Sequence, residues 1–193
     1  LLQALGLRLP RPSHALGALL VIPALAKGAH SLLEWQSEVL PLPPGAAEGG
    51  VELEAIMGSS SPMWLFFFFA LSPGIFEELV FRGALLGAMR RDFTWKRIVF
   101  WQALYFALVH ASIYRLLPTG ILGGLLALIA LRSRSVLPAM VLHIGYNALL
   151  ILGNAGHLTF TSEPWFEYAP WAAIPGVALF LIPPRPGPPD RAG

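Results

Sequence analysis

Not one cysteine occurs among the 193 residues, and charged side chains make up only 12% of the chain. The first absence removes disulfides, thiolate chemistry and cysteine-rich zinc sites. The second sets the chain apart from soluble domains, in which about 25% of residues are charged. The opening residues lack a basic stretch followed by a short apolar core and a small-residue cleavage site, so no signal peptide is expected. There is no internal repeat and no His-Glu-x-x-His zinc motif. A net charge of +2 is too small to favour nucleic acid as a partner.

What the chain has in abundance is apolar sequence. It is 55% hydrophobic with a mean hydropathy of +0.63, as expected of an integral membrane protein. At about 20 residues per membrane helix, its length accommodates about six spans. The expected fold is therefore all-α, a polytopic transmembrane helix bundle of about six spans with its active site within the membrane. The spans are expected near 14–33, 62–89, 95–111, 118–131, 136–153 and 168–182. Between the first two lies an acidic, Pro/Gly-rich loop (34–61), with a short amphipathic helix around Leu32 to Leu40. The chain divides into 1–61 (first span and acidic loop), 62–153 (core) and 154–193 (polar loop, last span, Pro-rich tail). Trp165, Tyr168 and Trp171 have the placement of an interfacial aromatic belt.

Alternation of six spans gathers Arg8, Arg11, Arg90, Arg91, Lys96, Arg97, Arg132, Arg134, Arg185 and Arg191 on one side. The other side collects Glu34, Glu38, Glu48, Glu52, Glu54, Glu163 and Glu167, with Arg115. This asymmetry predicts a multi-pass protein, taken as one of the bacterial inner membrane, with both termini cytoplasmic.

The stretch Ser72-Pro73-Gly74-Ile75-Phe76-Glu77-Glu78-Leu79-Val80-Phe81-Arg82-Gly83 breaks the apolar pattern. An ionisable side chain at bilayer depth costs roughly 2.5 to 3.5 kcal/mol on insertion scales, so three within six residues need mutual pairing, a wet cavity or both. At about 1.5 Å of rise per residue, Glu77 lies about 20 Å from the basic end of its helix, and so does His110. His143 and Asn147 fall at about 14 and 20 Å, so polar groups from three spans can share one layer. The i, i+4 spacing pairs Glu78 with Arg82 and sets His143 and Asn147 on one helix face, leaving Glu77 about a third of a turn away. His14, His30 and His157, near span ends or in loops, read as interfacial.

Glu77-Glu78-x-x-x-Arg82, Phe106-x-x-x-His110 and His143-x-x-x-Asn147, in this order on successive apolar segments, resemble the CPBP family, also called the Abi or CAAX-protease family of intramembrane glutamic proteases. The resemblance covers roughly residues 62 to 153. It implies that Glu77 and His110 activate a water for attack on a peptide carbonyl, while His143 and Asn147 stabilise the oxyanion. Glu78 and Arg82 would orient these groups. It implies a membrane-embedded or lipid-modified protein substrate, the bilayer as environment, and no cofactor.

Plainer readings exist for each residue. Glu78 with Arg82 can be a buried helix-stabilising salt bridge, His110 an interior histidine, and His143 with Asn147 polar glue between helices. Glu77, His110 and His143 together also suit a zinc site with an open position. The alternative function is a non-proteolytic interaction or transport-accessory domain. The start at Leu1 and the likeness to such domains fused behind transporter permease segments motivate it, with a fused or associated transporter subunit as partner.

Overall fold

In the computed structural model, residues 5–41, 46–157 and 164–184 are described. They form seven helices in chain order: α1 (Pro12–Val39), α2 (Ala46–Ser59), α3 (Pro62–Met89), α4 (Trp95–Val109), α5 (Ile113–Ser133), α6 (Leu137–Asn154) and α7 (Pro164–Leu181). No strand occurs among the described residues. Pro12, Pro62 and Pro138 each stand in the first turn of their helix, where a missing N–H leaves no bond unmade.

Contacts at the helix ends define an antiparallel up-and-down bundle. The His14 imidazole on α1 meets the carbonyl of Ile182, just past α7, at 2.9 Å, and Arg90 after α3 reaches Ala130 O on α5 at 3.3 Å. Those contacts mark the basic end. At the other end, His157 after α6 bonds Ser60 O ahead of α3 at 3.1 Å. Four helices, α1, α3, α5 and α6, are long and apolar enough to cross a bilayer. α7 carries a shorter apolar stretch, Phe166–Leu181, and the 15 residues of α4 span about 22 Å.

α1 packs along α7 and α6, α4 along α5, and α3 against α6. Phe106, Leu122, Leu126, Ala139 and Leu142 lie at the centre, with Leu86, Ile98 and Ala127 forming a second cluster toward the basic end. Phe67, Phe68, Phe69, Phe76, Val80, Phe100 and Leu108 point outward and are exposed. So large an outward apolar surface suits lipid, not water.

Glycine sets the closest helix approaches. A Cβ on Gly123 of α5 would stand 2.7 Å from Phe106 Cβ on α4, and one on Gly74 of α3 would fall 3.1 Å from the backbone nitrogen of Ile144 on α6. Because Ile144 adjoins His143, this second approach brings the glutamates to the histidine. We expect Gly74→Leu to overpack this crossing at about 1–3 kcal/mol. A thermal unfolding midpoint in detergent that stays at the wild-type value would contradict that packing.

Several boundaries differ from the sequence expectation. α1 runs on through the expected amphipathic segment to Val39, and the expected acidic loop contains helix α2, which docks through Met57 against Leu65 and Ala155. α5 begins five residues before Pro118. That proline cannot donate to the Tyr114 carbonyl, and Gln36 Nε2 on α1 donates to it instead at 3.0 Å, so the helix tolerates the proline. Glu167 lies within α7 and pairs with Lys27 at 2.7 Å. His14, read as interfacial, is fully buried and stacks on Phe180. Tyr168 and Trp171 are exposed; the Trp165 side chain, the 158–163 part of the polar loop and the tail from 185 lie outside the described residues.

Candidate active site

α3 is not a uniform helix. Two π-helical segments, Phe67–Leu71 and Leu79–Leu85, flank the α-helical Ser72–Glu78. The first ends two residues before Pro73, whose ring and missing N–H oppose a regular α-turn onto Phe69. The second carries Arg82. There the carbonyl of Phe81 also accepts from the buried Gln102 Nε2 of α4 at 2.9 Å. Gln102 therefore ties α4 to α3 beside the charged residues. Its only signal in the sequence was a single amide inside an apolar span, and the motif reading passed over it.

Glu78 is fully buried. Its Oε1 accepts from Arg82 Nη1 at 2.8 Å and from His143 Nδ1 on α6 at 2.9 Å. Arg82 is 2% exposed and donates its Nη2 to the Gly123 carbonyl on α5 at 2.7 Å. The pair thus ties three helices together, Arg82 joining α3 to α5 and Glu78 joining α3 to α6, and the carboxylate receives two N–H donors. Charge-assisted bonds of this kind are roughly twice as strong as neutral ones.

Phe106, fully buried on α4, is the shared platform. The Arg82 guanidinium stacks 4.5 Å from its ring centroid, and the rings of His110 and His143 stand 5.0 and 5.6 Å away. His110 follows the last residue of α4, where carbonyls run out of amide partners. Its own N–H bonds Ala107 O, leaving the Phe106 carbonyl to accept from His110 Nδ1–H at 2.7 Å. That bond fixes the tautomer, so in the neutral ring Nε2 keeps its lone pair as an acceptor. In His143 the Nδ1 likewise faces the Glu78 carboxylate, leaving Nε2 as the nitrogen free to meet another group.

Glu77 and Asn147 are half-buried, and neither forms a hydrogen bond among the described residues. Glu77 Oε2 is shielded from solvent without a partner. Glu78 Oε2 is likewise buried without a partner, and because unpaired buried carboxylate oxygens are expensive, both atoms suit contact with a water or a ligand. Of the six residues singled out by sequence, Glu78, Arg82 and His143 are joined by direct bonds, and His110 shares the Phe106 ring with Arg82 and His143. Glu77 adjoins this set along α3, and Asn147 lies one turn beyond His143 on α6. No three His, Asp or Glu side chains among the described residues are grouped as metal ligands.

A bundle of long apolar helices enclosing a buried carboxylate, guanidinium and imidazole defines an integral, multi-pass membrane protein with a polar site between its helices. Residues 59–149, just under half of the chain, match the family described as Type II CAAX prenyl endopeptidase Rce1-like. The match includes all six of these residues. The family implies a protease, in general a CAAX-type intramembrane endopeptidase, and a membrane-associated or prenylated protein as substrate. No curated protein and no solved structure matches the chain.

Proposed function

We propose that the chain is a glutamate-dependent intramembrane endopeptidase that needs no metal. The observation that carries this reading is that Glu77 has no hydrogen-bond partner, its Oε2 shielded from solvent, whereas Glu78 is engaged through Oε1 by both Arg82 and His143 and only its Oε2 is unpaired. Two adjacent carboxylates thereby take different jobs: one holds the helices, the other is free to take a proton.

In this mechanism Glu77 and His110 Nε2 hold one water between them. Glu77 takes a proton as the water oxygen attacks the carbonyl carbon of the substrate, forming the new C–O bond. The carbonyl oxygen becomes an oxyanion facing His143 and the Asn147 amide. As the tetrahedral intermediate collapses, the C–N bond breaks and Glu77 returns its proton to the departing amine. His143 can donate to the oxyanion only if Nε2 carries a proton while Nδ1–H remains on Glu78. The basic excess at one bundle end supports a cytoplasmic placement of that end.

Asn147→Ala is the expected discriminator in proteoliposomes loaded with a lipid-modified peptide. It should lower kcat about 10²–10³-fold with little change in KM, because an oxyanion donor acts in the transition state and not on bound substrate. The same vesicles treated with a chelator should keep wild-type turnover. Loss of activity that returns only with added zinc would replace the metal-free mechanism.

A further inference from the structure

Below the site, toward the basic end, Arg8, Arg82, Arg90 and Arg134 line one cavity of about 230 Å³ together with Gly83 and Ser135. Among the described residues no acidic side chain lines it. Its size is far above the roughly 10–15 Å³ that admits one water. Arg82 is already paired with Glu78, but the three like charges of Arg8, Arg90 and Arg134 around one space repel each other unless something negative sits among them. Partial burial first, and then Arg134 and Arg8, push the Arg90 guanidinium below its ordinary value. Arg82, 2% exposed, leaves its Nε–H without a partner on this side of the bundle.

The cavity is built, not incidental. Arg134 ends α5 at φ +53°, a left-handed conformation that costs a non-glycine residue roughly 1–3 kcal/mol and directs the chain into the turn beside the cavity. The segment before α1 is strapped across the same turn. Val136 N–H donates to Gly6 O at 3.0 Å, and Ser135 Oγ–H donates to Arg8 O at 2.6 Å. Gly6 turns at φ +71° where a Cβ would stand 2.9 Å from Val136 Cγ2. These bonds hold the Arg8 backbone at the cavity that Arg90 also lines.

We propose that this cavity binds the phosphate of an anionic phospholipid headgroup. Arg90 and Arg134 directly follow the last residues of α3 and α5, at the depth where spans leave the hydrocarbon and lipid phosphates lie. A phosphate offers enough oxygens for several guanidinium forks, whereas a lone carboxylate offers two. The bound headgroup would pin the segment at residues 5–8 to the ends of α3 and α5, and would meet Arg82 from the side opposite Glu78. This assignment rests on the basic cavity alone and stands apart from the proteolytic reading.

The test is thermal unfolding, followed by tryptophan fluorescence, of protein in phosphatidylcholine nanodiscs with and without a quarter phosphatidylglycerol. The wild type should gain about 5–10 °C with the anionic lipid, as for a ligand well above its Kd. Arg134→Gln should lose that gain, yet in pure phosphatidylcholine be at least as stable as wild type, because a repelling charge is gone. Arg90→Gln, read in the same way, serves if Arg134→Gln does not fold. Arg91→Gln, exposed and outside the cavity, should keep the gain. Absence of any gain, its persistence in both cavity variants, or equal loss in Arg91→Gln would overturn the proposal, the last by showing diffuse attraction only. If millimolar inorganic phosphate reproduces the shift in phosphatidylcholine, the site takes free phosphate and the lipid assignment fails. A shift produced by a short peptide with a free C-terminus, but not by its amidated form, would reassign the cavity to a peptide carboxylate.

Discussion

Glu77→Gln is expected to lower the turnover of a lipid-modified peptide in proteoliposomes by about 10²–10⁴-fold while leaving the unfolding midpoint close to wild type. The two halves of this expectation come from the same geometry. Glu77 is half-buried and its Oε2 has no partner, so exchanging carboxylate for carboxamide breaks no bond that holds the bundle. It does remove the group that takes the proton from water. Glu78→Gln should show the reverse emphasis, a marked loss of stability, because Glu78 is fully buried and its Oε1 accepts from both Arg82 and His143. His110→Ala should resemble Glu77→Gln in rate, since its Nε2 is the nitrogen left available once Nδ1–H is committed to the Phe106 carbonyl. Measuring kcat, KM and unfolding on the same preparations separates these cases. Wild-type turnover in Glu77→Gln would end the glutamate mechanism, whatever the stability data showed.

How much of this was readable beforehand depends on whether a feature is local. The Glu78–Arg82 pair follows from helical spacing alone, and the 2.8 Å bond joins residues four apart. Gly120, Gly123 and Gly124 stand close together in an apolar run, a pattern that permits close helix contact, and Pro62 suits the first turn of a helix. The bond from His143 to Glu78 was not readable, because it joins residues 65 apart on different helices and no spacing rule reaches that far. The sequence reading gave His143 to the oxyanion without anticipating that one of its nitrogens is tied to the supporting glutamate. Phe106 was noted only as the start of a motif, yet it is the surface against which Arg82, His110 and His143 are arranged. A buried phenylalanine looks like any other until its neighbours are known.

The early start of α5 was hidden for a related reason. Pro118 predicts a helix boundary unless another group takes the carbonyl it strands, and that group, Gln36, is 78 residues away from Tyr114. The helix α2 was obscured by the prolines and glycines around it, which predict loop, while Met57 packs it against Leu65 and Ala155 of the bundle. Local chemistry thus placed the charges on their helices, and tertiary contacts decided which nitrogen faces which oxygen.

Arg82→Leu should have the largest effect on stability, about 3–5 kcal/mol, because it leaves a fully buried carboxylate without its cation. For a chain of this length that corresponds to a fall in unfolding midpoint of roughly 6–20 °C. The Gly123 carbonyl would lose its donor at the same time, and the Phe106 ring its stacked guanidinium. The diagnostic measurement is the double variant Glu78→Met with Arg82→Leu. Removing both charges takes away the need for pairing, so this variant should recover much of the loss. Full recovery is not expected, since His143 Nδ1–H would then lack its acceptor, at about 1–3 kcal/mol. The coupling energy from such a cycle should therefore be large. Near-additive losses would mean that Glu78 and Arg82 act independently and that the bonds joining α3, α5 and α6 do not hold the site together. A double variant that folds well and cleaves nothing would instead separate the two roles of α3: packing carried by any well-fitting pair, and chemistry that requires His143 to be oriented by a carboxylate.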